Sequence, residues 1–286
     1  FIDPPRVDAG GDQSFCSNEP IQLNGTIAGT SPAGTWTSTG TGSFVPSPDL
    51  LQTIYFPSAN DVSNGTINLI LTSTNNFGCI PDADTMVVTF IDPPVADFSF
   101  TDACEGANTM FTDLSTASSG FVNSWVYDFG DQSSSIASDP QHNYPAAGVY
   151  NVTLITGSSN GCFDTIVQTI TVNPVPVPDF NNGLACVGTP TQLTDLSFIS
   201  SGSIVSWAWD FDNGLGVSSD QNPTYEFSGS GSFPVILTVT SDVGCSAASS
   251  QNISVLAGPT ANFSRAPSPA IALEDVFFSD LSTGNQ

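Results

Sequence analysis

The sequence predicts an all-β chain built from tandem β-sandwich domains arranged end to end. Three observations predict it. Apolar and aromatic residues alternate with polar ones at period two, no stretch carries a helical repeat, and the same landmarks return every 82 or 83 residues.

Trp125-Val126-Tyr127-Asp128-Phe129 and Trp207-Ala208-Trp209-Asp210-Phe211 each place three aromatics on one strand face, with small or polar residues between them. Tyr150 to Leu154 and Phe233 to Val239 alternate in the same way further on, and Thr169 to Val172 and Asn252 to Val255 follow as the last strands. Short strands of this kind, separated by Gly, Asn, Asp and Ser turns within about 80 residues, suit a two-sheet sandwich.

The repeat markers fix the organisation. Phe98, Phe180 and Phe263 each follow a Pro-containing stretch at intervals of 82 and 83, and Gly78-Cys79, Gly161-Cys162 and Gly244-Cys245 are each 83 apart. Asp113-Leu114-Ser115, Asp195-Leu196-Ser197 and Asp280-Leu281-Ser282 are copies of one another, and Phe1 to Pro5 returns as Phe90 to Pro94. A period this long exceeds the roughly 20–50 residues of solenoid repeats, so each unit is expected to be a complete domain. The expected division is the tail of a preceding repeat at 1–5, units at 6–91, 92–173 and 174–256, and the start of a truncated unit at 257–286. Asp92-Pro93-Pro94, Pro174 to Pro178 and Gly258-Pro259 link them; proline fixes φ and keeps the backbone extended, which predicts a semi-rigid rod.

Composition removes whole classes of function. There are 27 acidic residues against two basic ones, Arg6 and Arg265, no lysine and one histidine, for a net charge of −25. Phosphate neutralisation by Lys and Arg is out of reach, as are a P-loop lysine and a Schiff-base lysine. No run approaches the ~20 apolar residues of a membrane span. The sequence therefore predicts no enzyme, no nucleic-acid partner and no membrane insertion in this segment, and no required cofactor.

Six cysteines fall two to a unit. Repeat phase selects one bridge per domain, giving the expected pairs Cys16–Cys79, Cys104–Cys162 and Cys186–Cys245. The absence of CxxC and the lone His142 speak against zinc. Paired cysteines point to an oxidising, extracellular setting.

At Tyr127-Asp128-Phe129-Gly130-Asp131 and Trp209-Asp210-Phe211-Asp212-Asn213-Gly214 the units resemble PKD (polycystic kidney disease) domains, whose signature is WDFGDG. Ala96-Asp97-Phe98, Pro178-Asp179-Phe180, the Asp-Leu-Ser step, Asp139 to Tyr144 and Gln221 to Tyr225 follow in the family's order, and the pattern begins again at Ala261-Asn262-Phe263. The first unit lacks DFGD. Its Gly34-Thr35-Trp36, Gly42-Ser43-Phe44 and Pro57-Ser58-Ala59 resemble an immunoglobulin-like repeat of the kind that accompanies PKD domains in very large Bacteroidetes surface proteins exported by type IX secretion. The resemblance implies an Ig-like sandwich and a structural or adhesive role at the cell surface, as in gliding-motility adhesins and surface filaments.

The acids Asp128, Asp131, Asp210 and Asp212 could be read as paired catalytic carboxylates, but they recur as part of a fold signature, where Asp caps backbone N–H groups. Calcium is the sharper alternative, with Asp128, Asp131, Asp210, Asp212 and Asn213 as hard oxygen ligands. Trp125, Trp207 and Trp209 are expected in the core rather than on a sugar-binding face. The Bacteroidetes resemblance implies O-glycosylation at Thr85 and Thr165, in Asp84-Thr85-Met86 and Asp164-Thr165-Ile166. The function expected is a structural repeat segment of a secreted adhesin stalk or extracellular filament, partnered by its own repeats and by copies of itself. The alternative is an accessory polymer-binding region of a secreted hydrolase of chitinase or protease type. Charge of one sign on every unit predicts that copies associate only in salt or calcium.

Overall fold

The structure, a computed structural model, describes residues 3–29, 32–211, 214–266, 269 and 272–284. It is nearly all β, as the alternation predicts. The chain forms two compact units. The first holds residues 3–101, 109–142 and 150–170; the second holds 102–108, 143–149 and the described residues from 171 onward. The middle repeat contributes to both.

In the first repeat, one sheet has the order Gln13–Cys16, Ala83–Ile91, Thr66–Thr74, Ala33–Ser38, and the other the order Ile21–Asn24, Gln52–Phe56, Ser43–Val45. Strand Thr66–Thr74 shows why: Ile67, Leu69 and Leu71 point inward while Thr66 and Asn68 face water. Ile21, Leu23 and Tyr55 of the smaller sheet meet Trp36, Ile67, Leu69, Leu71, Met86 and Val88 of the larger one in a single core. The edge strand Gln13–Cys16 runs parallel to the last strand, Ala83–Ile91, with Cys16 opposite Ile91.

The one helix among the described residues is the six-residue Ala59–Asn64, which no helical periodicity announces. Its cap explains it. Ser58 accepts the Asp61 N–H, Asp61 accepts the Ser58 N–H, and Gly65 ends the turn at φ +76°, a conformation glycine adopts without Cβ strain.

The later repeats keep the plan. In the middle repeat, the order Ala103–Cys104, Phe163–Asn173, Gly148–Ser158, Val122–Asp128, Ser134–Ser135 forms one sheet, and Phe98–Phe100, Asn108–Asp113, Gln141–Asn143 the other. Phe98 meets Tyr127 edge-on at 5.7 Å between them. In the third, Gly216–Ser218, Ile204–Phe211, Gly231–Ser241, Ser246–Val255 faces Phe180–Asn182, Pro190–Asp195, Thr224–Glu226. Phe180 and Leu193 pack there on Trp209, Phe211, Val235, Leu237 and Val239. Beyond them, Phe263–Ala266 pairs with Phe277–Asp280.

Candidate functional site

The chemistry that sets this chain apart lies in its cysteines, and the bridges are not the expected ones. Cys16 is bonded to Cys162, with Cα atoms 5.6 Å apart, and Cys104 to Cys245, with Cα atoms 5.8 Å apart. Each bridge joins one repeat to the next, and each lies inside one compact unit. Cys79 and Cys186 are free thiols.

Strand register explains why the pairs Cys16–Cys79, Cys104–Cys162 and Cys186–Cys245 do not form. The first cysteine of each repeat sits opposite the far end of the last strand: Cys16 opposite Ile91, Cys104 opposite Asn173, Cys186 opposite Leu256. The second cysteine sits before that strand begins, at Ala83, Phe163 and Ser246 respectively. Strands of nine, eleven and ten residues lie between, which at about 3.3 Å per residue is some 30 Å. A disulfide needs Cα atoms within about 7 Å. The two cysteines of one repeat therefore mark opposite ends of its sandwich.

The two formed bridges share one local design. The strand-end cysteine is clamped by its neighbour's N–H: Ser17 donates to Ile91 O at 2.9 Å, and Glu105 donates to Asn173 O at 2.9 Å. The turn cysteine follows a glycine with positive φ, Gly161 at +82° and Gly244 at +87°. In both turns the first serine and the cysteine close the hairpin: Ser158 N donates to Cys162 O and Ser241 N to Cys245 O, each at 2.8 Å. Cys162 and Cys245 are each 1% exposed. Cys162 Sγ lies 4.0 Å from Ile91 O, at the last residue of the preceding repeat's final strand.

The acidic signature residues serve the turns. Asp128 Oδ1 accepts the Gly130 N–H at 2.9 Å, and Asp210 accepts the Gly214 N–H. Asp131 accepts from the Ser133 N–H at 3.1 Å and from the Ser133 hydroxyl, and pairs with His142 Nε2 at 2.8 Å. Burial works against the charge of Asp131, yet the bonds from Ser133 and His142 outweigh it and hold its pKa below the usual carboxylate value. The His142 ring stacks on Phe129 at 4.1 Å, as Tyr225 stacks on Phe211 at 4.3 Å in the next repeat. His142 thus occupies an aromatic packing position. Among the described residues no group of three or more His, Cys, Asp or Glu is placed to hold a metal ion; Asp212 and Asn213 lie outside the described residues.

Trp209 is buried in the core, while Trp125 and Trp207 are half-buried and donate Nε1–H to Asp113 and Asp195, each at 2.7 Å. These Asp partners belong to the Asp-Leu-Ser step 12 residues upstream of each Trp, which the repeats mark without showing what the Asp binds. Their constant offset is the signal that could have found them. Thr85 and Thr165 are exposed on the last strands of their repeats, and the aspartate before each is bonded: Asp84 accepts the Ala9 N–H and Asp164 the Ala96 N–H, both at 2.8 Å.

A fully buried carboxylate, also unforeseen, organises the first repeat. Asp61 accepts from the N–H groups of Thr41 at 2.7 Å, Gly42 at 3.0 Å and Ser58 at 3.0 Å, and from the Tyr55 hydroxyl at 2.8 Å. Donors rather than a cation compensate its charge. A Cβ on Gly40 would stand 2.4 Å from Asp61 Oδ1.

Repeated sandwiches, turn-bound acids and bridges between repeats define a chain of tandem β-sandwich domains. The PKD domain profile matches residues 91–174 and 171–255, more than half of the chain, and the chain belongs to the PKD domain family. It is 34% identical over 122 residues to the Pre-pro-metalloprotease PrtV of Vibrio cholerae serotype O1, a match covering 42% of this chain and 13% of that protein. The PKD1 domain of that metalloprotease, as a solved structure, is 38% identical, with a TM-score of 0.26 over 28% of this chain and 95% of its own. The PKD1 domain of Vibrio anguillarum Epp is 29% identical, with a TM-score of 0.26 over 28% of this chain and 92% of its own. The chain thus spans a small part of the curated relatives it matches, and the metalloprotease match falls in the PKD region.

Proposed function

We propose that this chain is a structural repeat segment of a secreted cell-surface adhesin stalk or extracellular filament, with domains at 6–91, 92–173 and 174–256 acting as a semi-rigid, disulfide-pinned spacer. The observation that carries the reading is the pair of bridges between successive repeats, Cys16–Cys162 and Cys104–Cys245. Within-domain bridges would stabilise single domains; bridges from one repeat to the next serve a protein whose task is to keep repeats in register under tension. Disulfides of this kind need an oxidising compartment, which supports an extracellular place, and type IX export of a Bacteroidetes surface protein is the finer form of the reading. Exposed Thr85 and Thr165 then stand as its O-glycan acceptors.

The similarity to a metalloprotease favours a second reading, an accessory polymer-binding region beside a secreted hydrolase. The whole reading frame separates the two. Many further repeats without a catalytic domain are expected for the stalk; a catalytic domain with no repeats beyond those of this chain would overturn it.

A further inference from the structure

The same concavity is built into two successive repeats. Trp36, Tyr127 and Trp209 are buried at one position of their sheets, each paired with a leucine: Leu71, Leu154 and Leu237. The residue after each faces outward, and it is Thr37 in the first repeat but Asp128 and Asp210 in the next two. In the middle repeat a hollow of about 430 Å³ lies over Asp128, with Val126 and Ile155 paired beside it and Ser134 on its rim. In the third a hollow of about 610 Å³ lies over Asp210, with Ala208 and Thr238 paired beside it and Val217 on its rim. Asp220 adds a second carboxylate there. Each hollow lies within one of the two compact units.

The lining decides the ligand. It offers carboxylate and hydroxyl oxygens over aliphatic carbon, and no Lys, Arg or His. Anionic groups are repelled, the more so by a chain of net charge −25. A sugar ring finds no aromatic face to stack on, because Tyr127 and Trp209 are closed from solvent. Val126 and Asp128 are neighbours on one strand face, about 6.6 Å apart, and Val126 is 45% and Ile155 38% exposed. That layout fits a lysine side chain, with its methylene stem on apolar carbon and its charged head on the acid. One oxygen of each acid is taken, Asp128 Oδ1 by the Gly130 N–H and Asp210 Oδ1 by the Gly214 N–H. Among the described residues no hydrogen bond reaches either Oδ2. A single open oxygen suits an ammonium, which is a point charge, better than the two-pronged guanidinium fork.

We propose that these two hollows are binding sites for lysine side chains of a basic partner protein. This chain has no lysine, so a second copy of it cannot supply the ligand, and charge of opposite sign draws the partner in. The sites stand whether the parent protein is a stalk or a hydrolase.

The test titrates the whole isotope-labelled chain, its two bridges intact, with end-capped tetralysine and follows the backbone amides by NMR. Salt of about 0.15 M screens long-range attraction. Saturable shifts are expected around Asp128 and Asp210, and none around Thr37. Asp128→Asn keeps an acceptor for the Gly130 N–H and should weaken the middle site by about 3-fold or more while leaving the third unchanged. Asp210→Asn should do the reverse. Val126→Ser, which leaves the charge alone, should also weaken the middle site. Removing the same charge at exposed Asp102 should alter neither. Neutral maltotetraose should leave the spectrum unmoved. The absence of saturable shifts at both sites would overturn the proposal. So would shifts spread over the acidic surface and reduced as much by Asp102→Asn as by Asp128→Asn, or maltotetraose moving the same amides. End-capped tetraarginine binding at least as tightly as tetralysine would overturn the choice of lysine.

Discussion

Trp207 donates its indole N–H to Asp195 at 2.7 Å, and Gln221 donates to the same carboxylate oxygen at 3.1 Å. The other oxygen of Asp195 accepts the Ser197 N–H at 3.0 Å. One carboxylate therefore ties together the Asp-Leu-Ser step, the aromatic strand and the segment before Thr224–Glu226. Hydrogen bonds to a charged group contribute about 1.5–3 kcal/mol. Asp195→Ala is expected to destabilise the third repeat by about that much, with Asp195→Asn losing less because its carbonyl still accepts. Scanning calorimetry of the third repeat's transition checks both.

Acid should erase that difference. Burial opposes the charge of Asp195, but bonds from Ser197, Gln221 and Trp207 outweigh it and hold its pKa below the usual carboxylate value. A carboxylate with a depressed folded pKa stabilises the fold fully above its unfolded value of about 3.9, and loses that contribution as pH falls through the folded pKa. The gap in melting temperature between wild type and Asp195→Asn is expected to be constant from neutral pH to about 5 and to close below about 4. Comparing the two chains at each pH cancels most of the change in overall charge repulsion. A gap that widens in acid would contradict the assignment.

Removing Asp61 should damage the first repeat more than any exposed acid. Asp61→Ala leaves the N–H groups of Thr41, Gly42 and Ser58 and the Tyr55 hydroxyl without their acceptor, and each buried unsatisfied donor costs about 1–3 kcal/mol. Loss of the first repeat's cooperative transition is expected. Gly40→Ala, whose Cβ meets a carboxylate oxygen at 2.4 Å, should show a weaker form of the same effect. Near-ultraviolet circular dichroism reports both through Tyr55.

His142 offers a test of packing against chemistry. Because Tyr225 fills the same position one repeat later, His142→Tyr should retain the stack on Phe129 and lose the imidazole's bonds to Asp131 and Ser133. His142→Ala removes both, and a loss of roughly 1–3 kcal/mol in the middle repeat is expected, against less than half of that for the tyrosine variant. Equal losses would mean that the Asp131 bond, not the ring, carries the stability.

Pulling on single molecules measures what the bridges do. The Cys16–Cys162 bond closes 146 residues, and at about 3.6 Å per extended residue that is roughly 500 Å of chain. Because the Cys104–Cys245 loop overlaps it, the shortest covalent path from Cys16 to Cys245 crosses both bridges and only the segment from Cys162 back to Cys104, and the oxidised chain should extend by roughly 600 Å less than the reduced one. Equal extension in the two states would remove the mechanical role.

The alternation at Trp207 to Phe211, the markers 83 residues apart and the Asp-Phe-Gly-Asp turn were enough to define a run of β-sandwiches, because strand formation and turn chemistry are local. Glycine before each turn cysteine and the Asp-to-Trp offset are equally legible once repeats are aligned. Connectivity of the cysteines was not, because repeat phase shows how many there are per domain and not which end of the domain each occupies. That depends on the parallel pairing of Gln13–Cys16 with the end of Ala83–Ile91, a contact between the two extremes of one repeat. Burial of Asp61 depends in the same way on three separate segments converging around one carboxylate. The sequence alone determined the strands, the repeats and the family; tertiary structure decided the bridges, because a disulfide forms where strand register brings two Cα atoms within about 6 Å.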